Sequence, residues 1–312
     1  MAVNIPNPYR QIIFIIVLAV CFANWMSAPL ALLAGIIIAF TIGHPFIHLH
    51  HIAPKILLQI AVVGLGFGMN FYSAMEAGKQ GVIITFCSVS AVMLIGLAIG
   101  IFFGLNRNIR VLISAGTAIC GGSAIAAISP AIKAKEEEIS VSLATVFILN
   151  AVGLLLFPVI GHWLEMDEHT FGFWTAIAIH DTSSVAGAGQ TYGPEALQTA
   201  LTVKIIRTLW LVPLIFVITL SRKKTSKKMT IPWFIFGFVA AMMINTYVPV
   251  VSQLTFMLSV FAKKLLIITL FLIGASLSRK NLKQVGFRPL LFGIILWILI
   301  AVVSLFVVRA VV

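Results

Sequence analysis

The run LLFGIILWILIAVVSLFVV (290–308) contains no charged residue and is long enough to cross a bilayer as a helix. A hydrocarbon core about 30 Å thick needs roughly 20 apolar residues per helical span. Similar runs recur through the 312 residues. The chain is 61% hydrophobic and 10% charged, where an ordinary soluble domain carries about 25% charged residues. Membrane β-barrels alternate in segments of about ten residues, and these unbroken runs do not. The expected fold class is therefore all-α: one polytopic membrane domain over residues 1–312, with the lipid bilayer as its surroundings.

About eleven candidate spans are predicted from the apolar runs. They lie near 10–25, 27–43, 52–71, 81–104, 110–132, 139–163, 171–190, 196–220, 231–248, 255–277 and 288–309. The first run lacks a small-residue cleavage pattern and reads as a retained helix, not a signal peptide. The net charge of +12 does not point to nucleic acid, because the basic residues collect in short loops between apolar runs, as the positive-inside rule expects. One set of loops holds Arg107 and Arg110, then Arg222 to Lys228, then Arg279, Lys280, Lys283 and Arg288. The other set is poor in Lys and Arg or offset by acids, as in KAKEEE (133–138) and EMDEH (165–169). This asymmetry places the N-terminus in the cytoplasm and the C-terminus outside.

Two internal similarities stand out. Residues 55–82 align with 263–290, setting Lys55 against Lys263, Gly66 against Gly274 and Gly78 against Gly286. The copies are separated by an odd number of spans, so they run in opposite directions, as in inverted-repeat transporters. AICGGSAIAAISP (118–130) is similar to AIHDTSSVAGAG (178–189), with Ser123 opposite Ser183. On a simple span count these two copies run in parallel. A re-entrant segment 110–132 would reverse one of them but would break the charge parity.

Segments 116–130 and 178–190 are rich in Gly, Ser, Thr and Ala, unlike their Leu- and Ile-rich neighbours. Gly121 and Gly122 mid-span, Ser123 and then Pro130 describe a broken helix, whose half-helix N-terminus offers free N–H groups to an anion. Close packing of small residues is the alternative. Thr182, Ser183 and Ser184 have the same make-up. Asp181 is the single acid deep in a span, where a charge costs at least about 2.5–3.5 kcal/mol and needs a partner or a wet cavity. It is read either as a coupling site or as a structural ion pair or helix cap. His180 beside it can exchange a proton near neutral pH, or can be a packed core histidine.

Lys204 and Arg207 are three residues apart and share one helix face inside the eighth span. Asp181 can neutralise only one of them, so the surplus suggests an anion, and a structural network with Asp181 is the alternative. Lys263 and Lys264 are expected to snorkel. The tract His44, His48, His50 and His51 sits at a loop and reads as interfacial, not as a designed metal site. Cys21, Cys87 and Cys120 are scattered and read as packing residues without disulfides. No cofactor is expected.

SAGTAICGGSAIAAISPAI (114–132) followed by AIHDTSSVAGAG (178–189) resembles the YeiH-type sulfate-exporter family of bacterial inner-membrane proteins. The resemblance covers nearly the whole chain. It implies kinship with bile-acid/sodium symporters and cation/proton antiporters, which are built from inverted repeats with two broken helices crossing at mid-membrane. Three functions follow from these readings. The first is export of sulfate or sulfite, with the anion at Gly121, Gly122, Ser123, Thr182, Ser183, Ser184, Lys204 and Arg207, and with Asp181 and His180 as the coupling pair. The second is a cation/proton antiporter using Asp181. The third is a non-transporting membrane sensor. No nucleotide-binding loop, metal-ligand pattern or nucleophile elbow suggests an enzyme. Self-association is left open.

Overall fold

The computed structural model describes residues 7–23, 25–43, 45–46, 52–220, 233–248, 250, 252–276 and 286–312. The histidine tract 44–51, except residues 45 and 46, and the basic loops 222–228 and 279–283 lie outside the described residues. Among the described residues the regular structure is helical, with no strand. The helices are α1 (Asn7–Val20), α2 (Ala28–Thr41), α3 (Ile52–Gly66), α4 (Phe71–Phe102), α5 (Arg107–Ala118), α6 (Gly122–Ile132) and α7 (Glu136–Trp163). They continue as α8 (Glu168–Ala178), α9 (Thr182–Tyr192), α10 (Pro194–Leu209), α11 (Leu211–Leu220), α12 (Trp233–Tyr247), α13 (Ser252–Ser276) and α14 (Phe287–Val311). The protein is an all-α polytopic membrane protein. Among the described residues, 5 helical segments are long and apolar enough to cross a membrane: Phe71–Phe102, Glu136–Trp163, Pro194–Ile218, Ser252–Ser276 and Phe287–Val311.

Local sequence sets the ends of several helices. Asn70 accepts hydrogen bonds from Tyr72 N (2.8 Å) and Ser73 N (3.3 Å) and so starts α4. Asp167 starts α8 through Thr170 N at 2.9 Å. Three glutamates, Glu136 to Glu138, fill the first turn of α7, where the helix dipole favours negative charge. Pro194 opens α10, a position whose N–H a helix does not use. Elsewhere small residues let backbones touch. A Cβ on Gly35 of α2 would lie 2.1 Å from the Phe271 carbonyl of α13, and one on Gly274 would lie 2.4 Å from the Leu32 carbonyl of α2. Such close crossings suit a medium that offers no hydrophobic drive between helices.

The fifth and seventh candidate spans are not through-going. Asn106 and Asn108, at the start of α5, donate to Glu138 Oε1 and Oε2 at 2.7 and 2.8 Å. Glu138 is in the first turn of α7, so the mouth of α5 and the exit of α6 lie at one end of the molecule. The pair α5–α6 is a re-entrant hairpin. At the other end of α7, the Tyr192 hydroxyl donates to the Met166 carbonyl, and Glu168 Oε2 accepts from Glu195 N at 2.8 Å. The mouth of α8 and the exit of α9 therefore also meet, and α8–α9 is a second hairpin. α7 has 28 residues, about 42 Å at 1.5 Å per residue, so the hairpins enter from opposite ends.

This arrangement removes the conflict left by the span count. As hairpins from opposite ends, the two similar segments are inverted and not parallel. Because both fold back, the loops after the second hairpin keep their sides, whereas KAKEEE (133–138), assigned by sequence to the face opposite Arg107 and Arg110, lies at their end of the molecule. Arg309 Nη2 donates to the Leu164 carbonyl at 2.7 Å, which places the end of α14 at the Tyr192 end of the molecule. Gln198 Nε2, near the start of α10, donates to Asn70 O at 3.3 Å, which sets residues 69–71 at that same end, where they join 245–246 through Phe71 N to Thr246 Oγ1 (2.9 Å) and Asn245 Nδ2 to Met69 O (3.1 Å). α3 and α13 accordingly run in opposite directions. Lys264 Nζ bends to the Ala23 carbonyl at 2.9 Å, capping the turn between α1 and α2.

Candidate functional site

The hairpin tips meet near the middle of α7. α5 stops after Ala118, where Ile119 leaves helical geometry (φ −122°, ψ −90°). Gly121 N then donates to the Gly116 carbonyl at 2.9 Å, and Gly121 takes φ 62°, a left-handed value that disfavours a side chain. The second hairpin breaks over 179–181, between α8 and α9. A Cβ on Gly121 would lie 3.5 Å from the Asp181 Cβ. The two breaks predicted from sequence are therefore neighbours.

Each break exposes a half-helix C-terminus, whose last carbonyls lack intrahelical donors. Lys204 and Arg207 of α10 supply those donors, and both are 0% exposed. Arg207 Nε donates to Ala118 O (2.6 Å), Nη2 to Thr117 O (3.0 Å) and Nη1 to Ala176 O (3.1 Å) and to Ile177 O. Lys204 Nζ donates to Ile179 O (2.7 Å) and Ala176 O (3.3 Å). Arg207 thus ties α5 to α8 across the centre. Each half-helix C-terminus carries roughly half a negative charge, which offsets much of the cost of burying two cations.

The half-helix N-termini are treated unequally. Asp181 caps α9: its Oδ2 accepts from Ser183 N (3.1 Å), Ser184 N (3.4 Å) and the Ser183 hydroxyl. The helix-cap reading of Asp181 is what the geometry displays, and its side chain is half-buried. Thr182, Ser183 and Ser184 are buried around it. Gly121 gives α6 no side-chain cap, the Cys120 sulfur accepts from Ala124 N, and Ser123 in the first turn is exposed. His180 is 0% exposed, and neither ring nitrogen has a hydrogen-bond partner.

Sequence reading missed Asn150, in the middle of α7. Its Oδ1 accepts from His180 N (3.1 Å) and Asp181 N (3.2 Å), while its buried Nδ2 has no partner. A lone amide within the apolar stretch FILNAVGLLLF (147–157) was the available signal. Cys120 is buried at the first tip. No group of three or more metal-ligating side chains occurs among the described residues.

The family model described as "Conserved hypothetical protein 698" matches residues 12–307. The chain belongs to the UPF0324 membrane protein family. It is 51% identical to a UPF0324 membrane protein of Bacteroides thetaiotaomicron, over 91% of this chain and 87% of that protein. It is 49% identical to one of Porphyromonas gingivalis, again over 91% and 87%. A third, of Geobacter sulfurreducens, is 44% identical over 95% of each chain. No solved structure matches the chain. In this UPF0324 protein both hairpin tips, Asn150, Lys204 and Arg207 lie inside the matched span.

Proposed function

We propose that this UPF0324 protein is a secondary transporter that exports a small inorganic anion, sulfate or sulfite, across the bacterial plasma membrane with proton coupling. The observation that carries the reading is the meeting of two oppositely entering hairpin tips halfway along α7. Broken helices there bring uncapped backbone groups to mid-membrane, where lipid alone could not satisfy them. Irregular backbone at that depth belongs beside a cavity or a path. Two buried cations and one acid, Asp181, share this centre. The two half-helix C-termini neutralise part of that surplus, and the α6 and α9 N-termini add positive potential beside it. The centre therefore favours an anion.

In this reading the anion sits at the tips, near Gly121, Gly122, Ser123 and Thr182 to Ser184, in the field of Lys204 and Arg207. Asp181 and His180 are the coupling pair. Asp181 lies beside Gly121 of the first tip and caps the second, so a change in its protonation would be felt by both. The N-terminus faces the cytoplasm and the C-terminus the outside, as the basic loops favour. The alternating-access step is a movement of one tip against the other, and no covalent chemistry is involved.

The test is a flux screen in proteoliposomes under an imposed pH gradient, comparing sulfate, sulfite, Na⁺ and Li⁺. Transport of sulfate or sulfite, with neither cation moving, is the expected result. Proton-coupled Na⁺ or Li⁺ flux without anion flux would assign Asp181 to a cation/proton antiporter instead. No flux of any of the four ions would leave a non-transporting membrane protein.

A further inference from the structure

The two half-helix N-termini at the centre are chemically different. That of α9 is occupied by its own aspartate. That of α6 is preceded by Gly121, which makes no side-chain cap, and the first N–H groups of a helix have no intrahelical acceptor. A second, independent donor points at the same place. Asn150 is only 4% exposed. Its Oδ1 is fixed by two N–H donors of the other hairpin, which settles which way the amide is turned. Nδ2 is then a buried donor without a partner, 3.5 Å from where a Gly121 Cβ would stand. A buried amide donor left unsatisfied is destabilising, and a ligand that accepts from it would remove that cost.

We infer that Asn150 Nδ2, with the N–H groups of Gly122 and Ser123, is the direct donor set for the anion, and that Lys204 and Arg207 do not touch it. This rests on the anion reading above and sharpens it. The basic pair is committed to the carbonyls of Thr117, Ala118, Ala176, Ile177 and Ile179. It supplies the field and holds the tips together. The ligand itself meets neutral donors. Asn150 also joins the hairpins: one side of its amide holds the second hairpin's tip, and the other faces the first. An anion accepting from Nδ2 and from the α6 N-terminus would bridge both tips.

Asn150→Asp separates the two halves of this amide. The carboxylate keeps an acceptor for His180 N and Asp181 N and replaces the donor with a negative oxygen. The purified protein in detergent is titrated with sodium sulfate and, separately, sodium sulfite at constant ionic strength, and the rise in melting midpoint is followed. The wild type is expected to be stabilised with saturation, and Asn150→Asp to need at least a tenfold higher concentration. Equal stabilisation of both proteins, or no stabilisation of the wild type by either salt, overturns the inference.

Should Asn150→Asp fail to fold, Ser123→Cys in a Cys87→Ser background gives a second readout. Sulfate is expected to slow alkylation at position 123, and an unchanged rate overturns the inference. Binding lost in Asn150→Asp while wild-type vesicles show no flux would retain the site and refute transport. Wild-type flux with unaltered Asn150→Asp binding would do the reverse.

Discussion

Asn106 and Glu138 stand 32 positions apart in sequence and meet at 2.7 Å, side chain to side chain. Between them lie all of α5 and α6. A continuous crossing would separate these residues by the thickness of the membrane, so their contact makes the segment a hairpin. The consequence is testable by sidedness. Single cysteines at Asn108 and Glu137 should react with an impermeant reagent from one side of the membrane. A cysteine at Glu195 should react from the other. Labelling of positions 108 and 137 from opposite sides would refute the hairpin.

Arg207 and Lys204 should differ in their structural weight. Arg207 serves four carbonyl contacts on two hairpins and Lys204 serves two. Leaving buried carbonyls unpaired costs about 1–3 kcal/mol each. Arg207→Ala is therefore expected to lower the melting midpoint more than Lys204→Ala and to reduce the amount of folded protein in the membrane. Melting curves of the two variants check this order. Equal, small effects would remove the role given to the pair as caps of the half-helices.

Gly121→Ala tests the junction of the tips. The residue holds φ 62°, and the new methyl would lie 3.3 Å from Val146 Cγ1 and 3.5 Å from both Asn150 Nδ2 and Asp181 Cβ. With ψ −124° beside that φ, the backbone lies in a region that residues bearing a Cβ rarely adopt, at a cost of about 1–3 kcal/mol. The expected outcome is a modest loss of stability with a larger loss of anion flux, because the methyl occupies the space between the tips. Wild-type flux in a folded Gly121→Ala protein would move the path elsewhere.

Asp181→Asn keeps a side-chain oxygen able to cap α9 and removes the titratable charge. Its melting midpoint should stay near that of the wild type, while flux driven by a pH gradient is lost. His180→Ala should shift the pH profile of transport less severely, since His180 makes no hydrogen bond through its ring. Gradient-driven flux at the wild-type rate in Asp181→Asn would leave the aspartate as a helix cap alone.

Much of this centre was legible in the sequence. Asp181–Ser184 stood out because charged and polar residues are costly within lipid-length runs, and Gly121-Gly122 because paired glycines weaken a helix; the structure breaks both helices beside them. The reversal of 110–132 was raised by the internal similarity but left open, and the reversal of the seventh span was not foreseen. α5 and α6 have 12 and 11 residues, and hydropathy reads two such halves as one span of ordinary length. What distinguishes them is a contact between Asn106 and Glu138, which no local pattern reports. The partners of Arg207 were hidden for a related reason: a basic residue in a span signals a need for partners but does not say whether an anion or a backbone carbonyl fills it. Asn150 escaped notice because a single amide in an apolar helix leaves no periodic trace.

The claim that the tips move an anion is tested most directly by counterflow. Vesicles containing the wild-type protein are loaded with unlabelled sulfate or sulfite, diluted into the same labelled ion, and followed without a pH gradient beside vesicles containing Asp181→Asn. Labelled uptake is expected in both, because exchange needs the anion site and not the coupling acid, and uptake by the wild type alone is expected once a pH gradient must drive it. Absence of counterflow of either ion in wild-type vesicles that carry folded protein would contradict the claim.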